Sequence, residues 1–327
     1  MRELTAASVE RFLADYRAAL GADDEGGPIG LAVSGGGDSL ALLRLAIHAF
    51  PGRIAAATVD HGLRPEAHAE ARRVAALCAS LAVPHAILRP ETPITLGNVS
   101  QKAREARYGA LARWAASHGI PRVLTAHSRD DAAESFLMRA AHGSGIAGLA
   151  LMPAETAIPH GAETGVRLVR PLLGWSRAEL RAVAEAAGWP IADDPSNSDG
   201  KYDRARIRAL IAASPDLPAG PLARTARNLA EAEEALRWLV EEAWVTRVEA
   251  EPHAIRIDAA QLPRELRRRL AARAIRTLRA DPAWSGEGLD GLVDRLDAGR
   301  TATLAGVVAR PGPPWRFAPA PPRHGQS

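Results

Sequence analysis

Short apolar runs alternate with longer amphipathic stretches between residue 29 and about residue 190. The runs have the length of strands, and the stretches between them repeat hydrophobic residues at helical spacing. This alternation predicts an α/β fold with a doubly wound, mainly parallel sheet covered on both faces. The predicted strands are 29–33, 54–60, 85–88, 123–126 and 167–172, and the predicted helices are 38–50, 66–81, 99–118, 130–141 and 177–187.

Beyond Ser214 the pattern becomes mainly helical, with apolar stripes at helical spacing. Residues 301–318 predict a short strand pair around a Pro-Gly-Pro turn, followed by a flexible tail. We therefore expect an α/β domain over 1–214 and a smaller, mainly helical domain over 215–327. The helical stretches of the second domain are 222–248, 262–279 and 286–297.

Composition narrows the class of protein. The chain has 327 residues, of which 47% are hydrophobic, as in a folded protein of two domains. Its single cysteine, Cys78, provides neither a disulfide framework nor a cysteine-ligated metal site within one chain. No run of about 18 uninterrupted apolar residues suits a membrane span. We therefore expect a cytoplasmic protein without a membrane partner.

The basic residues are nearly all arginines, although the formal net charge is only +3. Guanidinium groups suit phosphate oxygens and stack on unpaired bases. One cluster comprises Arg204, Arg206 and Arg208, and a second lies within residues 267–279. For the second cluster, a solvated helix face that also carries acidic residues is an equally good explanation.

The most informative motif is Ser-Gly-Gly-Gly-Asp-Ser at 34–39, between a predicted strand and a predicted helix. Glycines let backbone N–H groups close around an anion at the positive end of the helix dipole. The P-loop pattern would need a lysine here, and the dinucleotide fingerprint would need glycine at Leu40. An ordinary glycine turn capped by Asp38 is the alternative. The predicted phosphate-binding residues are Ser34, Gly35, Gly36, Gly37, Asp38 and Ser39.

Polar residues also follow the second predicted strand. Asp60 is expected near a ribose or adenine, and His61 and Arg64 near phosphate or substrate, because the carboxyl ends of adjacent parallel strands meet. A His-Gly turn without a binding role explains these residues about as well.

After the fourth predicted strand, Asp131 and Glu134 lie three apart on one helix face, close behind His127. Paired carboxylates beside a triphosphate site suit Mg²⁺ or a substrate ammonium group. Helix capping by Asp130 and Asp131 is the alternative, but it accounts less well for Glu134.

Three other segments carry weaker signals. Arg104 and Arg107 share one side of a predicted helix, and a solvated face that also carries Glu105 is the alternative. Residues 139–153 are glycine-rich and predict a flexible loop. Residues 193–197, Asp-Asp-Pro-Ser-Asn, suit an ordinary turn.

Seven motifs in one order make the chain similar, over about residues 29–210, to the tRNA(Ile)-lysidine synthetase family of the PP-loop ATP pyrophosphatase superfamily. They are Ser-Gly-Gly-x-Asp-Ser (34–39), Val-Asp-His-Gly-Leu-Arg (59–64), Ala-Arg-x-x-Arg-Tyr (103–108), Ala-His-x-x-Asp-Asp-x-x-Glu (126–134), Gly-Ser-Gly-x-x-Gly-Leu (143–149), Arg-Pro-Leu-Leu (170–173) and Asp-Asp-Pro-Ser-Asn (193–197).

The resemblance implies an adenine nucleotide alpha hydrolase-like fold and a ligase. This enzyme would join lysine to C2 of the first anticodon cytidine of isoleucine tRNA(CAU), through an adenylated cytidine. The product, lysidine, would switch decoding from AUG to AUA. The implied cofactors are ATP and Mg²⁺, and the implied partners are that tRNA and free lysine. The sequence leaves open whether the chain forms a homodimer.

The resemblance also implies roles for residues. Residues 34–39, Asp60 and His61 would bind ATP, and Asp38 with Asp131 would hold Mg²⁺ or order the phosphates. Asp131 with Glu134 would hold lysine. The implied catalytic residues are Asp38, Arg107, His127, Asp131 and Glu134. The implied substrate-binding residues are Arg64, Arg104, Arg107, Asp131, Glu134, Arg204, Arg206 and Arg208, the last three through tRNA phosphates.

One departure and three rival functions accompany this interpretation. Ala205 stands where the family commonly has asparagine, which puts an asparagine contact in doubt but leaves the basic cluster. A tRNA thiolation enzyme would need cysteines beyond Cys78, and an amidating enzyme of the NAD or GMP synthetase type would show no RNA dependence. A nucleotide-dependent RNA-binding module without turnover is disfavoured by the intact carboxylates.

Overall fold

The computed structural model describes residues 4–21, 26–62, 65–90, 99–192, 203–280 and 282–321. The chain divides into two compact units, Met1–Ala230 and Glu231–Ser327. This division falls inside one long helix, Ala219–Arg247, and so lies later than the 214/215 boundary expected from the sequence. In the part of the chain that the structure describes, no helix is both long and apolar enough to cross a membrane.

The first unit contains a six-stranded sheet with helices between its strands. Its strands are β1 (Ile29–Ala32), β2 (Ile54–Val59), β3 (His85–Leu88), β4 (Arg122–Leu124), β5 (Glu155–Ala157) and β6 (Arg167–Val169). Its helices are α1 (Ala6–Leu20), α2 (Gly37–Ala49), α3 (Pro65–Ser80), α4 (Val99–Ser117), α5 (Arg129–Ala141), α6 (Ile146–Leu149), α7 (Arg177–Ala186) and α8 (Asp203–Ala213), followed by α9 (Ala219–Arg247).

The strand order is β3-β2-β1-β4-β6-β5, and every neighbouring pair except β5 with β6 is parallel. The predicted doubly wound, mainly parallel sheet is therefore confirmed. The order places the carboxyl ends of β2, β1, β4 and β6 side by side, which is where ligands bind in such sheets. The antiparallel edge strand β5 and the short helix α6 were not predicted, because neither carries a long apolar run.

The core explains why a glycine lies inside the central strand. All four residues of β1 are buried. A Cβ placed on Gly30 would lie 2.9 Å from the ring of Trp114, so the glycine lets α4 pack directly on the sheet. Helix α1, which the sequence analysis did not predict, covers part of the core. Its Tyr16 ring meets Phe50 edge to face at 4.8 Å between ring centres.

The second unit is a mixture of helix and antiparallel sheet. Its strands β7 (Val248–Glu251), β8 (Ala254–Ile257), β9 (Ala302–Leu304), β10 (Val307–Arg310) and β11 (Trp315–Pro319) pair in the order β7-β8-β11-β10-β9. Its helices include α10 (Arg264–Leu278) and α11 (Gly286–Asp297). The expected helices are present, and the expected single strand pair is corrected: the described residues form five strands, and a hairpin after α9 joins the terminal strands through β8 and β11.

The arginines of α10 form ion pairs with acidic side chains of the same unit. Arg269 donates to both oxygens of Glu233 at 2.8 and 2.7 Å, and its side chain is only 15% exposed. Arg264 pairs with Asp294 at 2.6 Å, and Arg273 pairs with Glu241 at 2.6 Å. These contacts give the arginines of α10 a structural role, because they pair with acidic side chains of neighbouring helices.

Candidate active site

The glycine-rich loop after β1 is organised by one buried hydroxyl. Ser39 Oγ accepts hydrogen bonds from the backbone N–H groups of Ser34 at 3.2 Å and Gly35 at 3.1 Å. It donates to the carbonyl oxygen of Gly36 at 2.8 Å. The Ser39 side chain therefore shapes the loop from within, whereas Ser34 is exposed.

Two positions of the loop are occupied by glycine for different structural reasons. Gly35 has φ +90°, and a Cβ there would lie 3.1 Å from Val74. Gly36 is the N-cap residue of α2 and provides no side-chain hydrogen bond to the first turn. The backbone N–H groups at the start of α2 are thus left without a side-chain cap, at the positive end of the helix dipole. This arrangement suits an anion such as a phosphate group.

Asp131 both caps a helix and faces the site. Its Oδ2 accepts from the backbone N–H of Ser128 at 2.8 Å, which completes a capping box at the start of α5. Its Oδ1 lies 3.2 Å from Arg177 Nη2 and 3.1 Å from Arg204 Nη2. Asp130 caps the neighbouring helix instead, because its Oδ2 accepts from the backbone N–H of Arg177 at 2.8 Å. The capping alternative therefore describes both aspartates, and Asp131 has a second role besides.

Glu134 lies at the centre of three guanidinium groups. Its Oε1 is 2.9 Å from Arg177 Nη1 and 2.8 Å from Arg208 Nε, and its Oε2 is 3.0 Å from Arg204 Nε. The Glu134 side chain is 2% exposed. Burial alone would raise its pKa, but the hydrogen bond from Arg208 and the charge of Arg177 hold the pKa below its usual value. Glu134 is therefore ionised at neutral pH.

Arg177 is the main residue that the sequence analysis missed. It opens α7 directly after the cap Ser176, and it contacts Asp38, Asp131 and Glu134. A Ser-x-x-Glu capping pattern, completed by Glu179, marks the helix start in the sequence and could have located Arg177 at a strand-to-helix junction. No sequence signal pairs it with carboxylates on other helices.

Asp38 lies in the first turn of α2 rather than in the loop before it. Its Oδ2 is 3.6 Å from Arg177 Nε, and its side chain is 27% exposed. Burial raises the pKa of Asp38 to about 6, and the negative charges of Asp131 and Asp130 add to this effect while Arg177 opposes it. Burial is thus the main reason that the charged form of Asp38 is disfavoured, and Arg177 offsets the charges of the two aspartates.

The buried carboxylate of Asp38, with Asp131 close enough to raise its pKa further, is the observation that bears on a metal ion. A carboxylate with a raised pKa beside other carboxylates is stabilised by an added cation. Asp38 and Oδ1 of Asp131 fit Mg²⁺ in this respect, although Arg177 and Arg204 already contact Asp131. Across the described ranges, no group of three or more His, Cys, Asp or Glu side chains has the arrangement of a metal site.

His127 lies at the end of the β4 segment, where its Nδ1 is 2.9 Å from the hydroxyl of Thr125. Its pKa is well below the ordinary value, first because it is buried and then because Arg170, Arg107, Arg204 and Arg104 surround it with positive charge. His127 is therefore neutral at physiological pH. The structure brings it near Arg104 and Arg107, as the sequence analysis expected of a common site.

Asp60 and His61 follow β2. Asp60 is buried and accepts from the backbone N–H of Gly62 at 3.0 Å, and its second oxygen is 3.2 Å from His68 Nδ1. Burial lowers the pKa of His61, and the charge of Arg107 lowers it further. Arg64 and the 193–197 motif lie outside the described residues.

The three arginines of α8 do not form one exposed patch. Arg204 and Arg208 turn towards Asp131 and Glu134, with side chains 38% and 29% exposed, whereas Arg206 is exposed. Two of the three arginines expected to bind tRNA phosphates therefore neutralise buried carboxylates in this structure.

Comparison with known proteins identifies the family of the first unit. Residues 4–214 match the model of the PP-loop domain family, an ATP-binding domain. The U34-tRNA thiolase NcsA from Methanococcus maripaludis, solved with its [4Fe-4S] cluster, shares 17% identity and a TM-score of 0.53 over 69% of this chain and 80% of that one. This likeness shows the fold, that of the adenine nucleotide alpha hydrolase-like proteins. The first unit is thus a PP-loop ATP-binding domain.

Two relatives narrow the class. The tRNA(Ile)-lysidine synthase of Zymomonas mobilis is 41% identical over 91% of this chain and 90% of its own length. That of Novosphingobium aromaticivorans is 43% identical over 98% and 96%. The chain belongs to the tRNA(Ile)-lysidine synthase family, whose members are tRNA-modifying ligases.

Proposed function

We propose that this protein joins lysine to C2 of the first anticodon cytidine of isoleucine tRNA(CAU), with ATP converted to AMP and pyrophosphate. The product, lysidine, then pairs so that the codon read changes from AUG to AUA. The observation that carries the proposal is the uncapped start of α2 beside Asp38 and Asp131. It joins an anion site to carboxylates that favour an added cation. Family membership supplies the substrate.

The first step forms the adenylated cytidine. The C2 oxygen of cytosine attacks the α-phosphorus of ATP, a new P–O bond forms, and pyrophosphate leaves with the electrons of the broken P–O bond. The N–H groups at the start of α2 hold phosphate oxygens, and Ser39 keeps the loop in shape for this. Mg²⁺, held by Asp38 and Asp131, would supply neutralisation of phosphate charge.

The second step exchanges oxygen for nitrogen at C2. The lysine ε-ammonium first loses a proton to water, because only the neutral amine is nucleophilic. The amine attacks C2, the C2–O bond breaks, and AMP leaves with the former cytosine oxygen. Positive charge near His127 and Arg107 favours the developing negative charge of the leaving AMP. These residues belong to the reaction centre in this proposal.

The carboxylates that would hold lysine, Asp131 and Glu134, form ion pairs with arginines in the structure. We therefore assign the tRNA a second role, in which its phosphates draw Arg204 and Arg208 away from Asp131 and Glu134, which then receive the lysine ammonium. Arg177 remains on Glu134 at 2.9 Å and keeps it in place. Lysine would then bind tightly only after tRNA has bound. This order keeps the adenylation step and the amine attack on the same bound tRNA.

The test of function uses ATP, Mg²⁺, ¹⁴C-lysine and unmodified isoleucine tRNA(CAU), and scores the label that stays on RNA after deacylation. Retained label that disappears when the first anticodon cytidine is replaced by uridine supports the proposal. The Asp38→Asn variant serves as the inactive control. AMP release without retained label would contradict lysidine formation while leaving ATP cleavage intact.

Sulfur transfer is the rival that the fold neighbour raises, and one observation disfavours it. Cys78 is buried, and burial raises the pKa of its thiol to about 11. A thiol in that state is a poor nucleophile and a poor cluster ligand.

A further inference from the structure

A buried arginine near the proposed site has no role yet. Arg170 follows β6 and is 5% exposed. Its Nη1 donates to the carbonyl oxygen of Pro153 at 2.6 Å, and its side chain also forms a hydrogen bond with Tyr108. Its Nε is buried and has no hydrogen-bond partner among the described residues. A buried guanidinium with an unused donor is unfavourable unless an anion completes its surroundings.

Two more arginines pack on the same tyrosine. The guanidinium carbon of Arg104 lies 5.1 Å from the ring centre of Tyr108, and that of Arg107 lies 5.9 Å away. Tyr108 itself is 1% exposed, so the ring is a fixed support. Stacking holds a guanidinium group in place while its N–H groups remain available to a ligand.

The positive charge of this group is not balanced nearby. Within the described ranges, Arg104, Arg107 and Arg170 form no ion pair with an aspartate or glutamate, in contrast to Arg177, Arg204 and Arg208. The low pKa of His127 reflects the same charge, since after burial the causes are these arginines and Arg204. The three guanidinium groups therefore create a positive potential that an anion would relieve.

We propose that Arg170, with Arg104 and Arg107 packed on Tyr108, forms a receptor for a phosphate group. Guanidinium edges bind phosphate oxygens in pairs, which a lysine ammonium does not. This inference rests on the proposed function, which supplies two sources of phosphate. They are the ATP molecule and the RNA backbone beside the reacting cytidine. Arg170 determines where the receptor lies. Its contacts with Pro153 and Tyr108 set the position of the guanidinium edge that carries the unpaired Nε.

The test compares Arg170→Met with Arg44→Met. Arg44 is also 5% exposed and also donates to a backbone carbonyl, that of Val183 at 2.8 Å, but it lies on α2. Each protein is titrated with ATP alone and with unmodified isoleucine tRNA(CAU) alone, after circular dichroism has confirmed folding. Arg170→Lys is a second variant, which keeps the charge and loses the fork. It replaces Arg170→Met if that variant does not fold.

For an RNA phosphate, we expect Arg170→Met to bind tRNA at least about tenfold more weakly, with a salt dependence reduced by about one phosphate contact, and to bind ATP normally. For a nucleotide phosphate, ATP affinity falls about tenfold and tRNA affinity stays. Arg170→Lys should bind the affected probe several-fold more weakly than the wild type does. Arg44→Met should bind both probes with unchanged affinity. Unchanged affinities for both probes in a folded Arg170 variant would overturn the receptor. Absence of lysidine synthesis by the wild type would contradict the proposed function. The binding results would still decide whether the phosphate receptor exists.

Discussion

Arg177 Nη1 lies 2.9 Å from Oε1 of Glu134, and this pair joins the start of α7 to α5. Arg204 and Arg208 reach the same carboxylate from α8. The Glu134 side chain is 2% exposed, so water screens these charges poorly. One glutamate therefore connects three helices through charge.

Removal of Glu134 should destabilise the first unit strongly. Glu134→Ala leaves three guanidinium groups facing one another without their shared carboxylate, and breaking a buried pair costs about 3–5 kcal/mol. Urea unfolding measures this loss. The control is Glu185→Ala, which removes the exposed Arg181–Glu185 pair of 2.6 Å on α7 and should cost less than about 1 kcal/mol. Similar losses in the two variants would contradict the special position of Glu134.

Asp38 should show a conflict between function and stability. Its pKa of about 6 lies above the ordinary 3.8, so the folded state binds the proton more tightly than the unfolded chain does. The wild type therefore loses stability as the pH rises through about 4 to 6. Asp38→Asn should be more stable than the wild type at pH 8, by up to about 3 kcal/mol, and nearly equal at pH 4. It should form no AMP. If the Asp38→Asn variant is less stable than the wild type at pH 8, the ionised carboxylate of Asp38 does not destabilise the folded state.

Glu179 should show the opposite pH dependence. Burial would raise its pKa, but hydrogen bonds from Ser176 and Arg11 lower it to about 2. Its stabilisation is present above the unfolded value of 4.5 and is lost as the pH falls towards 2. Glu179→Gln should therefore be less stable than the wild type at pH 7, by less than about 1 kcal/mol because the side chain is 43% exposed. The difference should shrink between pH 5 and pH 3 in the same unfolding experiments.

Ser39→Ala should impair nucleotide binding more than folding. The variant leaves the N–H groups of Ser34 and Gly35 without the Ser39 hydroxyl, at about 1–2 kcal/mol in stability. We expect the KM for ATP to rise about tenfold because the loop loses its shape. Ser117→Ala is the control, since that hydroxyl donates to the carbonyl of Trp114 at 2.9 Å, at the end of α4. A normal KM in a folded Ser39→Ala would reject the organising role.

Arg206 and Arg208 should separate RNA binding from stability. Arg206 is exposed, whereas Arg208 Nε lies 2.8 Å from Glu134. Arg206→Gln should weaken tRNA binding and reduce its salt dependence while the unfolding midpoint stays unchanged. Arg208→Gln should lower the midpoint as well. Equal midpoints for the two variants would show that the Glu134 contact contributes little.

Local pattern predicted the bounds of two elements without error. The prediction for β3 matches its observed bounds, His85–Leu88, and that for α11 matches Gly286–Asp297. The β7–β8 hairpin was missed because charged residues such as Glu249 and Arg256 interrupt its apolar positions. Its pairing with β11 depends on contacts far away in sequence, which local spacing does not encode.

The site shows the same division between local and distant information. Strand-end motifs located Asp38, Asp131 and Glu134 together, because parallel strands end at one edge. They did not predict that Arg177, Arg204 and Arg208 would already neutralise those carboxylates. The contact from Arg208 to Glu134 spans 74 residues, and only the fold brings such residues together.

Both ends of the stretch that contains the Asp-Asp-Pro-Ser-Asn motif are attached to the site. On one side, the N–H of Ala192 donates to the carbonyl oxygen of Gly35 at 3.0 Å, and on the other, Arg204 holds Asp131. Ala192 and Arg204 thus tie the described residues on the two sides of the motif to the phosphate loop and to α5.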